Sequence, residues 1–177
     1  MDTTDRDEIR ITIQIAAAFG CSLPTRKMVD AIYEQAEVKL EPRPLGEPRE
    51  TVRRFVEHNG MIEQQRAGKP LGALVAGHKK DVVISNRLKE KPGKVAIYGW
   101  HKLDGKPIQP LYVGHVDWYV DYSHGIRLVK NECEVDGKKT TVADVLTDQQ
   151  VCELLSDEGP IAAGGATYGD RAQRLSE

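Results

Sequence analysis

Lys94 to Val129 reads KVAIYGWHKLDGKPIQPLYVGHVDWYVDYSHGIRLV. Apolar and polar residues alternate through much of it, and turn signals break it at Asp104-Gly105-Lys106. The stretch predicts strands at Val95–His101, at Leu111–Val116 and, in one or two pieces, at Tyr119–Val129. It also gathers His101, His115 and His124, both tryptophans, and Tyr98, Tyr112, Tyr119 and Tyr122. Proton-carrying groups crowded onto strands mark this as the region where a site is to be sought.

Upstream, the spacing is helical. Glu8–Phe19 predicts a helix ended by Gly20, and Thr25–Glu37 a second, capped by Ser22 or Thr25 behind Pro24. Met28, Val29, Ile32, Tyr33 and Ala36 form its apolar stripe. Val38–Leu40 suggests a short strand, and EPRPLGEPRE (Glu41–Glu50) an irregular connection. A third helix over Thr51–Arg66 would bury Val52, Phe55, Val56 and Ile62, with Asn59-Gly60 interrupting it and His58 either on that face or at the helix surface. Beyond Gly68 the period turns toward two. Strands are expected at Leu74–Gly77 and Val82–Ser85, with the polar run Gly77–Asp81 as a loop between them. Asp136-Gly137 predicts a hairpin joining Glu132–Val135 to Lys138–Thr141, and Val142–Leu155 a closing helix capped by Thr141. The sum is an α+β fold: N-terminal helices packed on a mainly antiparallel sheet, then a C-terminal helix, in one domain over residues 1–160, with 161–177 as a flexible tail.

With 177 residues, 40% hydrophobic and 29% charged, the chain is long enough for one proper core. A net charge of -2 offers no electrostatic footprint for nucleic acid. No apolar run is long enough for a transmembrane helix, and MDTTDRDEIR lacks the basic and apolar regions of a secretory signal, so no membrane partner and a cytoplasmic location are expected. Cys21, Cys133 and Cys152 are odd in number and widely spaced, which argues against a disulfide framework or a zinc-cysteine site. There is no phosphate loop, dinucleotide fingerprint or EF-hand loop, and no nucleotide or calcium cofactor is expected.

Four constellations carry the chemistry. In Gly77–Asp81, His78 and Lys79 are candidate substrate-binding groups. In Gly99-Trp100-His101, strand alternation would put Trp100 opposite His101 and leave space beside the imidazole. In Gly114–Asp117, His115 and Asp117 would share a face, as metal ligands or as a base with its orienting carboxylate. In Asp121–Arg127, a continuous strand would line up Asp121, Ser123 and Arg127, with Tyr122 and His124 on the other face. Such a polar row is costly to bury unless paired or ligand-bound. Arg127 suits a carboxylate such as a peptide terminus.

Two resemblances enter on these residues. Ser123-His124-Gly125-Ile126-Arg127-Leu128 resembles part of the signature of L,D-transpeptidases, cell-wall cross-linking enzymes, but without the cysteine nucleophile that follows the glycine there. LPTRKMVDAIY (23–33), GHKKDVVIS (77–85), IYGWH (97–101) and DYSHGIRLV (121–129) resemble segments of a family of bacterial hypothetical proteins, which implies a complete fold and no particular activity.

The expected function is a hydrolase acting on peptide or peptidoglycan amide bonds. Ser123 would be nucleophile, His101 or His115 base, and Asp117 or Asp121 the orienting carboxylate, with His124 in the same site and His78, Lys79, Trp100, Tyr122 and Arg127 on the substrate. No G-x-S-x-G elbow is present, which excludes a classical α/β-hydrolase. One alternative is a zinc hydrolase using His78, His101, His115 and Asp117, although HExxH and HxH spacings are lacking. Another is a non-catalytic sugar- or peptide-binding module built on Trp100, Trp118, Tyr112, Tyr119 and Tyr122.

Overall fold

The structure, a computed structural model, describes residues 8–162. It has an α+β fold. In order, the elements are α1 (Glu8–Ala18), β1 (Cys21–Ser22), α2 (Arg26–Gln35), β2 (Val38–Lys39), α3 (Val52–Arg66), β3 (Val75–Ala76), β4 (Lys80–Val83), β5 (Ala96–His101), β6 (Pro107–Tyr112), β7 (His124–Gly125), β8 (Val129–Lys130), β9 (Glu132–Val135), β10 (Lys138–Thr141) and α4 (Val142–Thr147).

β5 organises the rest. It lies in a four-stranded sheet of order β6-β5-β4-β7, antiparallel except where β7 runs parallel to β4, and every one of its residues is buried. Alternation gives the sheet two apolar faces. Val82, Ile84, Val95 and Ile97 pack with Leu23, Met28, Val142, Leu146 and Ile161, while Val83, Ala96 and Tyr98 pack with Val29, Leu88 and Val113. α2 feeds both clusters through adjacent residues, Met28 and Val29. Each such aliphatic side chain contributes about 1.5–3 kcal/mol when fully buried. Thr25 sets where α2 begins: its hydroxyl accepts from the Met28 amide at 3.1 Å and donates to the Leu155 carbonyl, tying the helix start to the C-terminal segment.

Several boundaries depart from the sequence expectation, each for a physical reason. β4 begins at Lys80, so Gly77–Asp81 is not one solvated loop. Lys80 and Asp81 are buried strand residues, with the Lys80 ammonium over the Trp100 ring and Asp81 paired to Arg127. β6 starts at Pro107 instead of Leu111, and its prolines are tolerated because it is an edge strand. Trp100 has φ 59° and the β5–β6 register shifts nearby, so simple alternation between Trp100 and His101 fails and both are buried. Tyr119–Val129 is mostly irregular. The Asp121 carboxylate accepts the Ser123 amide at 2.8 Å, a local turn that competes with the ladder and leaves only His124–Gly125 in the main sheet.

α3 runs unbroken through Asn59-Gly60; a helical glycine costs only about 1 kcal/mol, which buried His58 and Ile62 on either side offset. Its other apolar residues were expected inside, yet Val52 is 79% and Val56 67% exposed. His58, for which both the apolar face and the helix surface were open, is fully buried. α4 is shorter than expected: it stops at Thr147, and Cys152–Leu154 form a separate 3-10 turn. Ile161 is core, its amide bonded to the Leu146 carbonyl at 2.7 Å, so the expected tail does not start at residue 161; residues 163–177, on which the rest of that expectation falls, lie outside those described.

One glycine is structurally demanding. Gly77 has φ +98°, and a Cβ there would overlap the Leu40 carbonyl oxygen where β2 meets β3. Gly77→Ala is expected to cost about 3 kcal/mol, from backbone strain plus overpacking. Equilibrium urea unfolding measures it; a loss under about 1 kcal/mol would show that this corner yields.

Candidate functional site

The segment 113–125 leaves edge strand β6 and rejoins the sheet at its other edge, as β7 beside β4. Its backbone is held at both ends: Val95 N–H bonds the His115 carbonyl at 3.1 Å, Asp117 N–H the Gly93 carbonyl at 3.0 Å, and Lys80 N–H the Ser123 carbonyl at 2.8 Å. The result is a row of rings. Tyr112 meets His115 edge-on at 5.0 Å, His115 stacks on Tyr119 at 4.3 Å, and His124 lies 5.7 Å from His115 and 5.8 Å from Tyr119. Tyr112 is 45% exposed at one end, and His124 is half-buried at the other.

Asp121 lies under this row, with its side chain only 2% exposed. Oδ2 accepts from Arg49 Nε at 3.0 Å and from the Tyr119 hydroxyl at 3.4 Å; Oδ1 accepts the Ser123 amide and the Ser123 hydroxyl. Arg49 Nη2 also reaches the Ser123 hydroxyl at 3.4 Å, and Tyr119 donates to Glu50 at 2.9 Å. Burial alone would raise the Asp121 pKa, but the Ser123 hydroxyl, His124, the Ser123 amide and Lys80 outweigh it and hold the carboxyl at about 2. Behind Asp121, His58, Trp100 and Tyr122 form a buried aromatic block. His58 lies 4.9 Å from Tyr122, and the Tyr122 hydroxyl donates to the Leu45 carbonyl at 2.8 Å.

Burial favours the neutral form of His58, His78, His115 and His124. Desolvation lowers the His115 pKa, with Lys80 adding to the effect and Asp121 opposing it. Desolvation takes His124 down to about 4 against the pull of Asp121. His58 and His78 are also held at about 4, first by burial and then by Lys79 for His58 and Arg127 for His78. Burial lowers Lys79 to about 8, and its ammonium donates to the Tyr122 carbonyl.

The expected residues therefore fall into separate places. His115, Tyr119, His124, Asp121 and Ser123 come together. Ser123 is enclosed and gives its hydroxyl to Asp121, not to a histidine, so direct attack by Ser123 has no base in this geometry. Asp117 does not share a strand face with His115, because the regular strand ends at Tyr112; the carboxylate acting on His115 is Asp121. His101 is elsewhere. Its Nε2 lies 2.9 Å from Asp30 Oδ1, which also accepts the Tyr98 hydroxyl at 2.8 Å, and Tyr33 stacks on its ring at 4.6 Å. Arg127 is committed to Asp81 and to the Val75 carbonyl, both at 3.3 Å, so it is not free to grip a substrate carboxylate. Trp100 and Tyr122 are core residues that support the site from behind. The zinc set of His78, His101, His115 and Asp117 is not assembled: among the described residues no three His, Cys, Asp or Glu side chains are placed to hold a metal ion.

Arg49 and Glu50 were missed in the sequence, where they close a proline-rich connection with no period to reveal a partner 72 residues away. Asp30 was missed as one more polar residue on a helix. Comparison with protein families, with curated proteins and with solved structures found no match. None of the described helices is long and apolar enough to cross a membrane.

Proposed function

We propose that the protein is a hydrolase acting on peptide or peptidoglycan amide bonds, with His115 as general base in place of a serine nucleophile. The observation that carries this reading is the half-buried His115, kept uncharged, stacked on Tyr119 and beside His124 above the ionised Asp121. An imidazole that is neutral at pH 7 has a ring nitrogen free to take a proton from water. In the reaction His115 accepts that proton while the hydroxide adds to the carbonyl carbon. The same proton then passes to the amide nitrogen as the C–N bond breaks. Lys80 and Arg49, whose charges act on His115, supply positive potential for the oxyanion. Asp121 and Ser123 act as positioning residues that fix Tyr119 and the loop. The substrate class is drawn from the amide chemistry together with the likeness of Ser123–Leu128 to the L,D-transpeptidase signature.

Purified protein is incubated with bacterial peptidoglycan, and the soluble products are read by mass spectrometry against a lysozyme control. New peptide fragments are expected, and His115→Gln is expected to lower their rate of formation by about 10²–10⁴-fold. Absence of products with the control active would sink the hydrolase. One observation favours a second reading, a binding module: Tyr112 and Trp118 stand 45% and 49% exposed on this segment, as sugar-stacking rings do. Saturable glycan binding that survives His115→Gln, with no turnover, would select it.

A further inference from the structure

Beside His124 and Tyr119 opens a pocket of about 410 Å³. Its walls are apolar, built from Ile15 of α1, Phe55 of α3, Val82 of β4, and Val120 and Ile126 from the site segment. Among the described residues, Asp117 is the only carboxylate in the lining, and no lysine or arginine shares it. The carboxylate lies over Gly93: a Cβ built there would stand 3.9 Å from Asp117 Oδ2. Among the described residues it forms no ion pair, in contrast to Asp121 with Arg49 and Asp81 with Arg127.

We infer that this pocket takes an aliphatic chain ending in a primary ammonium, the side chain of lysine or of a related diamino acid, with Asp117 receiving the ammonium. The inference rests on reading the ring row as the working site and names the substrate residue that the site would select. Aliphatic walls bury methylenes, which favours a long unbranched chain. A carboxylate in such a lining favours a cation over a neutral or acidic head, and a half-buried carboxylate with no ion pair among the described residues has the most to gain from one. An acidic side chain would be repelled, and a short polar one would leave the apolar walls wet. Asp117, expected from sequence to orient a base, thus becomes a specificity-determining residue that touches substrate and takes no part in proton transfer.

The test needs no turnover. Nα-acetyl-lysine amide and Nα-acetyl-norleucine amide, close in shape but differing in charge, are titrated into the full chain and followed by NMR at the imidazole protons of His124 and the methyls of Ile126. Saturable shifts are expected with the lysine compound, and binding about tenfold or more weaker with norleucine. Asp117→Asn is expected to bring the two affinities together. Equal affinity of the wild-type protein for both compounds, or no binding of either, overturns the inference without recourse to any variant. So does an undiminished lysine preference in a folded Asp117→Asn protein. Lysine binding without cleavage of peptidoglycan would remove the hydrolase and leave the pocket assignment standing. Cleavage with no lysine preference would do the reverse.

Discussion

Lowering the pH from 7 to 4 is expected to unfold this protein or bring it to the edge of unfolding. His58, His78 and His124 are each held at about 4 in the folded chain, chiefly by burial. In the unfolded chain each takes a proton near about pH 6.5. The folded pKa is the depressed one, so between the two values the unfolded state binds more protons. The stability these groups contribute is complete above about pH 6.5 and is lost as the pH falls toward 4. Each shift corresponds to at most about 3 kcal/mol. Solvent reaching half-buried His78 and His124 trims their share. Even so, the three together rival the whole stability of a small domain, about 5–15 kcal/mol. Urea midpoints at a series of pH values between 7 and 4.5 measure the slope. His58→Leu, which puts an apolar side chain in a fully enclosed place, is expected to flatten part of it. A midpoint that stays constant over this range would mean that the histidines are not enclosed as described.

Asp121→Asn is expected to destabilise the fold by about 3–5 kcal/mol, the usual cost of removing one partner from a buried ion pair. The substitution keeps shape and one acceptor oxygen. It leaves the Arg49 guanidinium uncompensated and turns a donor toward groups that are themselves donors: the Ser123 amide and hydroxyl on one side, Arg49 and the Tyr119 hydroxyl on the other. For a chain of this size the loss corresponds to a fall in Tm of about 10 °C. The acid dependence separates this group from the histidines. Its folded pKa of about 2 lies below the unfolded value near 4, so its contribution is present above about pH 4 and is lost as the pH falls through 2. Measured where both proteins are folded, between pH 7 and about pH 5, the variant's deficit relative to wild type should therefore stay constant while the histidine slope acts on both. A cost below about 1 kcal/mol would place Asp121 with exposed pairs, which contribute little.

Local chemistry was legible and distant pairing was not. Pro24, Thr25 and the stripe from Met28 to Tyr33 specify α2 from within, and the structure ends that helix within two residues of the expected place. Asp136 and Gly137 both adopt positive φ, 50° and 78°, as a two-residue hairpin turn demands, and β9 and β10 pair in the register that turn dictates. The density of histidines and tyrosines pointed to a segment whose rings do lie together, His115 with Tyr119 and His124, but its internal geometry was misjudged. Tyr119–Val129 has the alternation of a strand, and nothing in the pattern says that the Asp121 side chain will capture the Ser123 amide first. Arg49 meets Asp121, and Asp30 meets His101, across 72 and 71 residues, and no periodicity encodes such meetings.

The two indoles of this chain occupy opposite surroundings. Trp100 is 4% exposed, with an ammonium 5.2 Å from its ring centre, whereas Trp118 is 49% exposed on the segment that carries the candidate site. The red side of the protein's tryptophan emission should be dominated by the wet indole, and the blue side by the dry one. A quencher such as iodide reaches the first and not the second. One cuvette then carries two separate optical channels, one for events at the site and one for the integrity of the core, with no label added.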